Sequence, residues 1–153
     1  MSVKILTALA LAFAITGPAL ATGNDESALT RWQASPSDVF DAAEIDLAAF
    51  QWVARPVIVF ADSPLDPAFQ TQMENLAAQM EEVIERDIVM ITDTNAADAS
   101  ELRKKLRPRG FQLVLIGKDG AVKLRKPFPW DMRELSRTID KMPMRQRELQ
   151  AGG

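Results

Sequence analysis

Residues 56–92, PVIVFADSPLDPAFQTQMENLAAQMEEVIERDIVMIT, decide the fold of this chain. Residues 56–60 are a short, unbroken, β-branched apolar run, the pattern of a strand buried on both faces. Residues 61–66 read as a turn, and Asp66 followed by Pro67 pairs a helix N-cap with the residue best suited to the first helical position. Phe69, Met73, Leu76, Met80, Val83 and Ile84 then recur at helical spacing and make one apolar face. Residues 88–92 are a second buried strand. Strand, amphipathic helix and strand form a βαβ unit, which requires parallel strands and a right-handed crossover.

Downstream, Asp98-Ala99-Ser100-Glu101 reads as a capping box opening a helix with Leu102 and Leu106 on one face, ended by Pro108-Arg109-Gly110. Residues 111–117 and 121–126 flank Lys118-Asp119-Gly120, and the Asp-Gly pair predicts a β-hairpin. Asp131 and Glu134 cap a last helix that buries Met132, Leu135, Ile139 and Met142 before Pro143 stops it. Residues 143–153 then read as a basic, flexible tail. Upstream, residues 22–46 read as a polar lead-in and arm. Within the stretch 38–52, acids are mixed with Val39, Phe40, Ile45, Leu47, Phe50 and Trp52, which suggests an irregular or short helical segment packed on the domain.

The first 21 residues have the pattern of a cleavable export signal. Lys4 precedes an apolar run at 5–15, Gly17-Pro18 breaks it, and Ala19-Leu20-Ala21 supplies the small-x-small cleavage motif. That run is far shorter than the ~20 residues that span a bilayer. The expectation is a secreted or periplasmic protein with no membrane span after signal cleavage. The remainder is one domain by length.

Cysteine, histidine and tyrosine are absent from the 153 residues. Their absence excludes disulfides, thiol nucleophiles, CxxC zinc sites and imidazole acid–base chemistry. No G-x-S-x-G, P-loop or G-x-G-x-x-G pattern occurs. The net charge of −3 hides an asymmetry: residues 22–101 carry 16 acids and 3 bases, residues 102–153 carry 5 acids and 14 bases. Either the halves neutralise each other across the sheet, or the second half presents a basic face to an anion.

The order β-α-β-α-β-β-α gives an α/β class with a four-stranded mixed sheet flanked by helices. It resembles the thioredoxin fold. Arg55-Pro56-Val57-Ile58-Val59-Phe60-Ala61, Leu106-Arg107-Pro108-Arg109-Gly110-Phe111, Leu115-Ile116-Gly117-Lys118-Asp119-Gly120 and Val122-Lys123-Leu124-Arg125-Lys126-Pro127 carry a closer resemblance. They look like a thioredoxin-like (peroxiredoxin-like) domain of unknown function, found in short exported bacterial proteins and in animal extracellular proteins with sushi repeats. The resemblance covers residues 47–142. It implies a strand order 2-1-3-4 and places the reactive thiols of the redox relatives just after the first strand, where a helix N-terminus lowers a thiol pKa. Here that place is Asp62-Ser63-Pro64-Leu65-Asp66-Pro67, and the cis-proline position of thioredoxins falls at about Gln112, with Pro108 upstream. Thiol exchange is therefore not expected.

The same order gathers Asp62, Ser63, Asp66, Asp93 and Thr94 near Arg107 and Arg109, in the crevice at the carboxyl ends of the strands. Three readings of it stand side by side. The acids cap helices and pair with arginines; or Arg107, Arg109, Lys118, Arg125 and Lys126, with Trp130, bind an anion or acidic protein; or Asp62, Asp66 and Asp93 hold a divalent cation, although no EF-hand spacing is present. Ser63 has no base paired with it in any local motif and reads as a turn serine. Phe128 and Trp130 either pack beneath the last helix or anchor a partner. A nucleic-acid site would need them exposed on a strand face, and export argues against it.

The functional expectation is an exported, non-catalytic adaptor that recognises an acidic protein or anion through a basic face. The alternative is a hydrolase-like or metal-assisted enzyme using Asp62, Ser63, Asp66 and Asp93. Neither a cofactor nor a resident metal is called for, and oligomeric state is not legible.

Overall fold

In the computed structural model, residues 26–152 are described; the leader read at residues 1–21 lies outside them. The first strand of the βαβ unit, β2 (Arg55–Phe60), is buried at all six positions, five of them the unbroken apolar run 56–60 and the sixth Arg55. It lies between β3 (Ile88–Asp93), parallel to it with Val57 opposite Met90, and β4 (Gln112–Ile116), antiparallel with Val57 opposite Leu115. β5 (Val122–Lys126) returns alongside β4, with Gly120 taking a left-handed φ of 80° in the tight turn between them. The four strands thus follow the expected 2-1-3-4 order.

A fifth strand completes the sheet. β1 (Val39–Asp41), within the stretch read as irregular or helical, pairs parallel to β3, so the order is β1-β3-β2-β4-β5. Three residues with one apolar side chain, Phe40, facing the core are too short to show a period in sequence. The polar lead-in also holds α1 (Ala28–Ala34), capped by Ser27, and α2 (Leu47–Phe50) follows β1. Trp32 explains the docking of α1: its indole Nε1 donates to the Ile88 carbonyl at 3.2 Å, and its ring meets Phe50 edge-on.

Alternation along the strands divides the core between the two faces. Ile58, Phe60, Val89 and Ile91 point towards Trp32, Phe50, Leu102 and Leu106. Val57, Val59, Ile88 and Met90 point towards Leu76, Val83, Leu135 and Ile139. The first face is covered by α1, α2 and α5 (Glu101–Leu106), the second by α3 (Pro67–Ala77), α4 (Met80–Glu85) and α6 (Met132–Asp140).

Four local expectations are corrected. The single helix expected after Asp66 breaks at Ala78-Gln79 into α3 and α4, and the break leaves Ile84 exposed. The N-cap of α5 is Ser100, which accepts from the Arg103 N–H; Asp98 ends a 3-10 turn and Ala99 takes a left-handed φ. Pro143 ends α6 but also begins α7 (Pro143–Ala151), where its missing N–H costs nothing. The expected flexible tail is this helix, and it is held by charge, with Arg145 buried.

Candidate functional site

The crevice at the carboxyl ends of β2 and β3 is built around a buried ion pair. Asp93, the last residue of β3 and 5% exposed, receives Arg103 Nη2 at 2.8 Å and Nε at 3.1 Å, and the Ser100 hydroxyl at 2.5 Å. Arg103 also donates to the Ala61 carbonyl at 2.9 Å and lies over the Phe60 ring. One guanidinium thereby ties β2, β3 and α5 together. Arg103 was not among the residues expected here. Its partner Asp93 lies ten residues earlier, on β3, so no local pattern in the sequence marks the pair.

The other oxygen groups of the crevice serve the backbone. Asp66 accepts from the Ala68 N–H at 2.8 Å and caps α3, as its place before Pro67 predicted. Ser63 Oγ accepts from the Leu65 N–H at 3.1 Å in a serine turn. Asp62 is exposed, 3.8 Å from Arg103. Among the described residues no group of three or more potential ligands converges to hold a metal ion. Asp62 and Asp93 both face Arg103, and Asp66 is turned to the start of α3.

Four of the basic candidates lie beside this crevice. Arg107 closes α5 in a left-handed conformation (φ 49°), and Arg109 follows just before Gly110 (φ 60°). Both side chains are exposed, and neither makes an ion pair or side-chain hydrogen bond among the described residues. Arg125, on β5, donates to the Leu106 carbonyl at 2.6 Å and to Gln112 Oε1 at 3.3 Å, where the carbonyl end of α5 favours a cation. Lys126 places its ammonium 4.5 Å from the Trp130 ring centroid and 5.9 Å from that of Phe128. Trp130 is half-buried; its backbone is clamped by the buried amide of Gln72, which accepts from the Trp130 N–H at 2.7 Å and donates to its carbonyl at 3.1 Å. Phe128 remains 53% exposed.

Lys118 does not join them. It follows β4 at the opposite end of the sheet, its side chain only 10% exposed, with Nζ 2.7 Å from Asp87 and 2.8 Å from Glu148. There it belongs to a network that fastens α7. Arg55, the first residue of β2 and 1% exposed in its side chain, donates to the Arg86 carbonyl at 2.9 Å and to Glu148 at 3.0 Å. Arg86 pairs with Glu82 and Asp140, and Arg145 with Glu85 and Asp140. Burial alone would raise the carboxyl pKa of Glu148, but hydrogen bonds from Lys118 and Arg55 outweigh it and hold Glu148 below its ordinary value. Asp140 is likewise pushed up by burial and pulled down further by Arg86 and Arg145. The charge runs that looked like one basic face are thus split, with Lys118 in a structural cluster and Arg107, Arg109, Arg125 and Lys126 on a surface.

A βαβ unit joined through a helix to an antiparallel hairpin and a final helix defines a thioredoxin-like fold. The reduced 2-Cys peroxiredoxin of Plasmodium vivax is similar at 12% identity and a TM-score of 0.54, over 67% of this chain and 85% of that one. A secreted disulfide oxidoreductase of Mycobacterium tuberculosis matches at 16% identity and a TM-score of 0.46, over 64% and 88% of the respective chains. At 12% identity the likeness to the peroxiredoxin concerns the fold alone. Residues 46–148 match the family described as Domain of unknown function (DUF4174), and the chain belongs to that family. No curated protein matches the chain.

Proposed function

We propose that this protein is an exported, non-catalytic thioredoxin-like module that binds an acidic protein segment through Arg107, Arg109, Arg125 and Lys126. The observation that carries the reading is the state of Arg107 and Arg109. Both are exposed to solvent, without carboxylate partners among the described residues, at the edge of the crevice where this fold places its ligands. Arginine's planar fork suits bidentate contact with side-chain carboxylates. Lys126, Phe128 and Trp130 extend the surface with an exposed aromatic beside a cation, the composition of a protein-binding anchor. The leader pattern in residues 1–21 supports export. The chain has no cysteine to exchange. Asp62, Ser63, Asp66 and Asp93 are engaged by backbone N–H groups, Ser100 and Arg103, so no observation favours the enzyme alternative.

The test is binding of a fluorescent poly-glutamate peptide, followed by anisotropy at low and at moderate salt. The double reversal Arg107→Glu/Arg109→Glu is expected to weaken binding at least ~10-fold, by removing two surface cation contacts of roughly 1 kcal/mol each, with the thermal midpoint unchanged. Affinity unaltered by the reversal would refute the assignment.

A further inference from the structure

At the amino end of β2, remote from the Arg107–Arg109 surface, a cleft of about 310 Å³ opens between Trp52 and the start of α7. That size is at the small end of the ~300–1,000 Å³ range of small-ligand clefts. We propose that it binds a small, singly charged carboxylate carried on an aromatic or short aliphatic body.

Trp52 is the first reason. It is 62% exposed and holds a left-handed backbone (φ 67°), a conformation rare for a bulky side chain, with its N–H bonded to the Lys118 carbonyl at 2.6 Å. Packing does not require the indole to stand there, since most of its surface faces water. Non-glycine residues held in this region concentrate at binding sites. Met142, Pro143 and Met144 supply an apolar wall on the α7 side, and the cleft continues along that helix past Met144 towards Ala151.

Charge is the second reason. Arg55, Lys118, Lys123 and Arg147 line the cleft against one acid, Asp119. Asp119 is taken by Lys123 at 2.6 Å, and that hydrogen bond holds its carboxyl pKa below the ordinary range. Asp87 and Glu148 answer Lys118 and the terminal nitrogens of Arg55. Among the described residues, Arg147 at the mouth makes only a 3.4 Å contact to the Pro143 carbonyl, and the buried Nε of Arg55 and Oε2 of Glu148 have no hydrogen-bond partner, the Glu148 oxygen being balanced by Arg145 at 3.6 Å. The first turn of α7 begins at the same cleft, and no side chain caps it. One unpaired guanidinium at the mouth matches one negative charge, and apolar walls match an apolar body.

The experiment titrates the full chain with 3-phenylpropionate, read by calorimetry and tryptophan emission, beside 3-phenylpropanol and sulfate. Saturable binding of the carboxylate with a dissociation constant below about 1 mM is expected. Arg147→Ala should raise that constant at least ~10-fold. Trp52→Gly, which suits a left-handed backbone, should remove the emission change. Arg107→Glu/Arg109→Glu should leave it intact, so this proposal and the acidic-partner reading fail separately. Absence of saturable heat, equal binding of the alcohol, sulfate competing as well as the carboxylate, or indifference to both Arg147→Ala and Trp52→Gly would each overturn it.

Discussion

At the carboxyl end of the sheet one arginine, Arg103, is buried against one aspartate while Arg107 and Arg109 stand in solvent. At the amino end, Arg55, Arg86, Arg145 and Lys118 share Glu82, Glu85, Asp87, Asp140 and Glu148, and all four cations are largely withdrawn from water. The second end spends its charge on holding secondary elements in register; the first keeps some free. A buried ion pair roughly balances its own desolvation, so its value lies in fixing geometry, and losing either partner is costly. An exposed cation contributes almost nothing to stability and is available to a ligand. The net charge of a segment does not distinguish these cases. Burial does.

The largest expected effect that could break this comparison is Arg55→Ala. It removes the donor to Glu148 and to the Arg86 carbonyl in a fully buried site, and should cost about 4 kcal/mol by urea unfolding. A loss under about 1 kcal/mol would mean that the amino end is no more committed than a surface. Arg103→Ala should cost slightly less, about 3 kcal/mol, because Asp93 keeps its bond from Ser100.

Acid should act on the amino end next. The carboxyl pKa values of Asp140 and Glu148 are lowered in the folded state, so their contribution is complete above their ordinary values of 3.8 and 4.5 and is lost as pH falls through the lowered ones. Stability measured by urea titration should therefore drop below about pH 4.5, and Glu148→Gln should flatten that drop. An unchanged pH slope in the variant would remove Glu148 from the network. The smallest effects belong to the exposed arginines. Arg107→Gly should be neutral or stabilising by about 0.5 kcal/mol, because the left-handed backbone at this helix end favours glycine. Arg109→Ala should stay within about 0.5 kcal/mol of the parent in the same urea titration.

The βαβ unit and the hairpin were legible because their signals are strong and local: unbroken β-branched runs at 56–60 and 88–92, the Asp66-Pro67 helix start and the Asp119-Gly120 turn. The strand order of the central four was implied by the resemblance to the thioredoxin fold and held. β1 was not legible, since a three-residue strand shows no period and depends on the neighbouring β3. Helix α7 was missed for a related reason. Its sequence lacks an apolar face, and what docks it is Arg145 and Glu148 meeting residues far away in the chain. At the site, Asp66 and Ser63 took the local roles that their turn chemistry predicts. Lys118 could not be assigned from its neighbours, because Asp87 is 31 residues before it and Glu148 lies on a helix the sequence hides.

β1 also bears on how far the chain can be shortened. The family match begins at residue 46, after α1 and β1. A fragment cut to those bounds would leave β3, whose residues Ile88, Val89, Met90 and Ile91 are all buried, as the outermost strand with unpaired backbone groups. A bare apolar strand of that kind is a template for joining another molecule. In the longer chain that flank is closed by the three residues Val39–Asp41, ending in Asp41 and preceded by Asp38, a short charged border that gives an incoming strand little to pair with. The N-terminal arm therefore keeps the sheet finite.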